Sequence, residues 1–116
     1  MPIKTRYVFI VTMDVAPEKE ALFNEVYDTE HVPYLSQVPG VLAATRFKTE
    51  PAAFVLGGER RELKGEGQPT YMAMYEIESP DVLTSAAWQE QAEKGRWPSE
   101  VRPHTSNRRH VVRRVM

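Results

Sequence analysis

The chain has 116 residues, weighs 13.3 kDa and carries 15 Lys+Arg against 16 Asp+Glu, which is room for one domain and too balanced for a generally basic nucleic-acid binder. It has no cysteine, which excludes disulfide scaffolds, cysteine-ligated zinc and cysteine nucleophiles. An apolar content of 41% is too high for a wholly disordered chain, and folding at this size hides about two-thirds of the extended chain's surface. A single domain over residues 1–116 is expected.

Lys4 and Arg6 ahead of the apolar run from Tyr7 to Met13 imitate a signal peptide. The run is too short for one, and Asp14 stands where a small-residue cleavage site would follow. No stretch approaches the ~20 apolar residues of a membrane helix, so a cytoplasmic protein with no membrane partner is expected. The run reads instead as a first strand over residues 6–14. Tyr7, Phe9, Val11 and Met13 fall on one face, and Val8, Ile10 and Thr12 on the other. A strand apolar on both faces is covered on two sides.

A helix follows from Pro17 to about His31, with Leu22, Phe23, Val26 and Tyr27 as its apolar stripe. Ala16 is a poor cap, and Pro33 disfavours helix at Val32, so the helix should end near His31. Pro39-Gly40 then turns the chain into a second strand over residues 41–48. The connection over residues 49–69 is long for a hairpin loop and contains Phe54-Val55-Leu56 before Gly57-Gly58. It reads as a β-ribbon extension, with a lid or a dimer arm as the functional alternative. A third strand spans residues 70–78, with Tyr71, Ala73, Tyr75 and Ile77 on one face and Met72 and Met74 on the other. Ser79 and Pro80 start a second helix that Gly95 can end, with Val82, Leu83, Ala86 and Ala87 as its apolar face. An arginine-rich fourth strand spans residues 108–115.

The order is β-α-β-β-α-β, the ferredoxin-like split-βαβ pattern of the α+β class. It gives a four-stranded antiparallel sheet with two helices on one face. The other face is apolar too, and soluble monomers rarely keep such a patch. A second copy packed face to face would cover it and enclose a barrel-like space, so a homodimer is expected. Charge is uneven along the chain. Residues 14–30 hold six acids and one lysine, whereas residues 100–116 hold five arginines and one acid. Complementary packing accounts for this as well as a polyanionic partner does.

Two clusters can carry chemistry. Tyr27 and His31 are four apart and share a helix face, which Phe23 extends. An imidazole at a helix C-terminus gains basicity from the dipole, which suits proton transfer; capping of the last carbonyls is the structural alternative. Trp97, Arg102 and His104 precede the last strand and together could hold a planar anion. His110 is given no role. No phosphate-binding glycine loop, dinucleotide fingerprint or zinc-protease motif is present. No spacing of the three histidines demands a metal, so neither metal nor cofactor is expected, and Met72 and Met74 read as core.

The run Phe23-Asn24-Glu25-Val26-Tyr27-Asp28-Thr29-Glu30-His31-Val32-Pro33-Tyr34-Leu35, followed by Val38-Pro39-Gly40-Val41, resembles the F-N-x-W-Y-x-x-E-H-x-P-x-L…P-G motif of EthD-like proteins in the dimeric α+β barrel superfamily. Tyr75 to Leu83 resembles that group's third strand and second helix. Val26 departs from the pattern, where relatives often have tryptophan. The resemblance implies a homodimer with a small-molecule cavity and His31 as the candidate acid–base residue. Cofactor-free enzymes of organic-compound degradation, cyclases and monooxygenases are among such proteins, and some bind without catalysing. The expected site is then His31 and Tyr27 for chemistry, with Phe23, Tyr75, Trp97, Arg102 and His104 against a small apolar or aromatic ligand. The alternative is a non-catalytic binding or structural dimer module. The RNA-recognition motif shares the element order, but its basic–glycine–aromatic run is missing from the third strand, and no nucleic-acid partner is expected.

Overall fold

The structure is a computed structural model that describes residues 3–116. In chain order it contains β1 (Tyr7–Val15), α1 (Glu20–Val26), α2 (Val32–Leu35), β2 (Val41–Lys48), β3 (Ala52–Leu56), β4 (Glu59–Leu63), β5 (Tyr71–Ile77), α3 (Ala86–Ala92) and β6 (Thr105–Arg114). The main sheet is antiparallel in the order β2-β5-β1-β6, and β3 and β4 pair separately as a ribbon. This is the expected α+β, ferredoxin-like arrangement, with the long connection folded as a β-ribbon.

Alternation along β1 and β5 decides which side is core. Phe9 pairs with Tyr75, Val11 with Ala73 and Met13 with Tyr71, and these residues face the helices. Phe23, Val26 and Tyr27 of the first helix pack on them, with Leu35, Trp97 and Val101 closing the layer. The opposite face presents Val8, Ile10, Met72, Met74, Phe47 and Val111, among Thr12, Thr45, Glu76, Arg109 and Arg113. Among the described residues no helix packs on that face, although Val8 on it is buried and the Lys4 amide donates to Glu76 there at 3.0 Å; the molecule is only 19 Å thick along its shortest axis. Its radius of gyration is 15.8 Å, against about 13 Å for a compact chain of this length. The ribbon accounts for much of the excess, since all of β3 and β4 is exposed, Val55 at 69% and Leu56 at 56%.

The first helix does not end at His31. It enters through a 3-10 turn (Pro17–Lys19), runs as α1, widens into a π-helical turn over Tyr27–His31 and resumes as α2. The Val32 amide closes that wide turn on the Tyr27 carbonyl, five residues back. Pro33 has no N–H, and its ring crowds the carbonyl four residues before it in a regular α-helix. Widening the preceding turn relieves the clash and lets the helix continue. The second helix also differs from expectation. Ser79 caps a 3-10 turn over Pro80–Thr84, but Ser85 then turns extended and caps α3, its hydroxyl accepting from Trp88 N at 3.1 Å. A serine able to cap competes with helix continuation.

β6 starts earlier than expected, at Thr105. Its register on β1 slips between Thr12 and Asp14, so Asn107 and Arg108 together face Met13. Asn107 occupies the left-handed region at φ 52°, and its side-chain amide donates to Asp14 Oδ2 at 3.2 Å. The other Asp14 oxygen accepts from Thr70 N at 2.8 Å. One carboxylate thus pins the bulge and the entry to β5. No helix among the described residues is long and apolar enough to cross a membrane.

Gly95 links the two helical regions. It has φ 72°, and a Cβ there would press on the Glu30 carboxylate and lie 3.0 Å from Tyr34 Cε2. Glu30 is fixed in that place by the Arg96 amide at 2.9 Å and by Arg96 Nε at 2.5 Å. Replacing Gly95 with Ala is expected to cost about 1–3 kcal/mol, from strain plus displacement of Glu30. Urea unfolding checks this: the midpoint should fall with the slope unchanged, and an unshifted midpoint would show that the clash is relieved for free.

Candidate functional site

Between the helices and the sheet lies a cavity of about 370 Å³, open on one side. Phe9, Val11, Met13 and Tyr75 form its floor on the sheet. Tyr27, His31 and Leu35 line one wall, and Trp88 and Ala92 of α3 another. Trp97, Arg102, Glu93, Arg108 and His110 complete the enclosure toward β6. A volume of this size sits at the small end of the ~300–1,000 Å³ typical of ligand pockets.

The aromatic walls hold one another in place. His31 stacks on Trp97 with ring centroids 4.4 Å apart and planes 19° from parallel. Tyr27 meets both edge-on, at 5.2 Å from His31 and 5.0 Å from Trp97. Across the floor, Trp88 stands edge-on to Tyr75 at 5.6 Å and to Phe9 at 5.7 Å. Phe9 in turn stacks on His110 at 6.0 Å. Edge-to-face pairs of this kind contribute about 0.5–1.5 kcal/mol beyond area burial, enough in sum to keep the walls rigid.

His31 is buried at 7% exposure, and its Nδ1 has no hydrogen-bond partner. Burial, and then the nearby positive charge of Arg102, push its pKa down from 6.5 to about 4, against a smaller opposing pull from Glu93. The expected gain in basicity at a helix end is therefore reversed. The helix runs on to Leu35, so His31 lies inside it, and desolvation outweighs any dipole effect. At neutral pH the ring is uncharged, able to accept a proton at one nitrogen and donate at the other. Burial also raises the Tyr27 phenol above its usual range and raises Tyr75 well above it, the Tyr27 phenol adding to the latter. The Tyr75 hydroxyl is buried without a partner of normal hydrogen-bond geometry.

Two arginines lock this framework. Arg46 of β2 lies 4.6 Å from the centre of the Tyr27 ring and 5.4 Å from that of Phe23, and donates at 2.8 Å to both Asp28 and Asn24. A cation over aromatic faces, largely shielded from water, contributes up to about 2 kcal/mol. Arg102 forms a two-point pair with Glu93 at the cavity mouth, NH1 to Oε1 at 3.0 Å and NH2 to Oε2. That pair holds Glu93 below the usual carboxylate range and Arg102 above its ordinary value.

Five of the seven sequence-expected site residues meet here: His31, Tyr27, Tyr75, Trp97 and Arg102. The other two lie elsewhere. Phe23 is wholly buried beneath the cavity, packed on Tyr27, Tyr71 and Trp97. His104 is exposed, and its carbonyl accepts from the Ala16 amide at 3.0 Å. Trp88, Glu93, Arg108 and His110 line the cavity without having been expected there. Strand alternation carries the signal for His110, which pairs with Val11 and so shares the inward face. Among the described residues no group of three or more His, Asp or Glu side chains could hold a metal ion.

With this geometry in place the comparison with solved structures is informative. A crystal structure of an ethyl tert-butyl ether d (EthD) family protein from Bacillus halodurans C-125 superposes with a TM-score of 0.58 over 95% of this chain and 99% of that one. The chain has the fold of an EthD family protein. Sequence identity is 13%, so the likeness is one of architecture. No protein-family model matches the chain, and neither does any curated protein. The motif residues nonetheless have readable roles in this fold. Phe23 is core; Asn24 holds Arg46; Glu30 holds Arg96; and Tyr27 and His31 face the cavity. Gly40 has φ 94°, and a Cβ on it would lie 2.5 Å from Val82 Cγ2.

The neutral imidazole has a consequence for stability. Its folded pKa of about 4 lies below the unfolded 6.5, so between these values the unfolded chain binds a proton that the folded chain does not. Stability therefore rises with pH through that window and is lost as pH falls from 6.5 toward 4, by up to about 3 kcal/mol from this one group. Urea titrations at pH 7 and pH 4.5 should show His31→Gln losing markedly less stability than the parent. An equal loss in both would mean that His31 is not buried neutral.

Proposed function

We propose that the protein is an EthD-like homodimer that binds a small, mainly apolar or aromatic molecule in the cavity, with His31 as general acid–base residue and Tyr27 positioning the substrate. The observation that carries this reading is the buried, uncharged His31 with an unsatisfied Nδ1, stacked on Trp97 in the wall of a ligand-sized cavity. A buried polar atom without a partner is costly unless something meets it, and a bound polar group would do so. A base with a depressed pKa stays unprotonated throughout the physiological range. His31 takes a proton from the substrate, and Tyr27, held by the Arg46 guanidinium on its ring, fixes the distance of attack. Arg102, braced by Glu93, stabilises negative charge that develops on the substrate oxygen.

The dimer forms through the uncovered face of the main sheet. Ile10, Met72, Met74 and Val111, half-buried in one protomer, and the exposed Phe47 are covered by the partner there. The assembly acts in the cytoplasm. Sedimentation of the purified chain at micromolar concentration should give the mass of two protomers, and a monomer would remove both the interface and the barrel.

A second reading, binding without turnover, is favoured by one feature: no carboxylate orients the His31 ring, because its Nδ1 is unpartnered. The two separate in assays of small phenols and polyketide-like aromatics. His31→Ala should lower turnover by about 10²–10⁴-fold with binding retained, and the rate of the parent should hold down to about pH 4, where the imidazole gains its proton. Binding by the parent with no turnover of any compound would instead establish the second reading.

A further inference from the structure

Resting on the reading of the cavity as a small-molecule site, we propose that its ligand is an aromatic carboxylate whose anionic group is received by Arg108, with His110 beside it, while its ring lies against Trp88 and Trp97. The charges of the wall point this way. Glu93 is the one acid in it, and Glu93 is already matched to Arg102 through both oxygens. His31 is uncharged at neutral pH. Arg108 is left over: among the described residues no ion pair engages it. Arg108 is exposed, so the positive charge without an ion pair stands at the open rim of the cavity, on the residue type whose planar fork fits a carboxylate through two parallel hydrogen bonds.

Alternation along β6 puts Arg108 on the same inward face as His110, beside an irregularity in the strand. Asn107 and Arg108 form the bulge opposite Met13, with Asn107 held left-handed at φ 52° by its bond to Asp14. Bulges of this type re-aim side chains next to sites, and here the residue immediately after the strained one lines the cavity. His110, two residues on, shares the face and stacks on Phe9; burial, and then the positive charge of Arg108, lower its pKa. The neutral His110 ring can donate to the second carboxylate oxygen. The aromatic half of the ligand has its own partners, since both tryptophans of the chain line the cavity.

Those tryptophans also supply the readout. The full-length protein is titrated with 2-naphthoate and with neutral 2-naphthamide, of nearly equal shape, while tryptophan fluorescence is followed. In the parent, naphthoate should bind about tenfold more tightly or better, the preference shrinking with added salt. Arg108→Gln should abolish the preference while leaving naphthamide affinity unchanged; Arg108→Lys should keep part of it; and Arg60→Gln, on the exposed β4 ribbon away from the cavity, should change nothing. Equal affinities in the parent, or a preference that survives in Arg108→Gln, would overturn the carboxylate assignment and leave the cavity reading standing. Absence of binding by both probes would overturn both.

Discussion

The wide turn over Tyr27–His31 is the constraint on which the site depends. A proline at position 33 would ordinarily stop a helix one or two residues earlier. Here the backbone adds a residue to the turn before it, and the hydrogen bond from Val32 to Tyr27 replaces the one that a regular helix would make. Because the helix survives to Leu35, His31 is carried into the space under Trp97 instead of being left at a solvated end. Its chemistry follows from that placement. An imidazole in water near a helix terminus is a better base than usual, whereas one enclosed by two aromatic rings and an arginine is held neutral.

Charged residues around the cavity act in pairs that join separate parts of the chain. Arg96 ties its loop to Glu30 and Glu25 of the first helix, Arg46 ties β2 to Asp28, and Arg102 ties the loop before β6 to Glu93. The acid-rich stretch near the N-terminus and the basic stretches later in the chain are thereby partly reconciled within one protomer. Each such pair is partly exposed and contributes little stability alone. Their value is geometric, since they fix helix against sheet at the points where the aromatic side chains must meet.

The sheet and its strand order were legible because β1 and β5 alternate apolar residues on both faces and the prolines mark the gaps between elements. The inward line from Phe23 to Tyr27 and His31 was legible from helical spacing alone. What spacing could not convey was depth: Phe23 and His31 lie on one face, but the first is wholly core and the second reaches the cavity. The break at Ser85 escaped notice because Ser79 already offered a good cap, and two competing caps in one segment are resolved only by what packs against them. The last strand reads as arginine-rich, and His110 within it is given no role. Alternation puts Arg108 and His110 on one side of β6 together with Val112, but which side turns inward is fixed only by the pairing of Val112 with Phe9 and of His110 with Val11.

The β3–β4 ribbon leaves and rejoins the sheet through a narrow doorway. Directly beneath it the Thr49 amide donates to the Thr70 carbonyl at 2.8 Å, and the Thr49 hydroxyl donates to the Pro69 carbonyl at 2.8 Å. Those two bonds finish the β2–β5 ladder without help from the residues above them. The layer is therefore sealed independently of its appendage, which makes this doorway a natural grafting port: a descendant, or a protein engineer, can lengthen, exchange or recode what hangs there while the chamber on the far side keeps its shape.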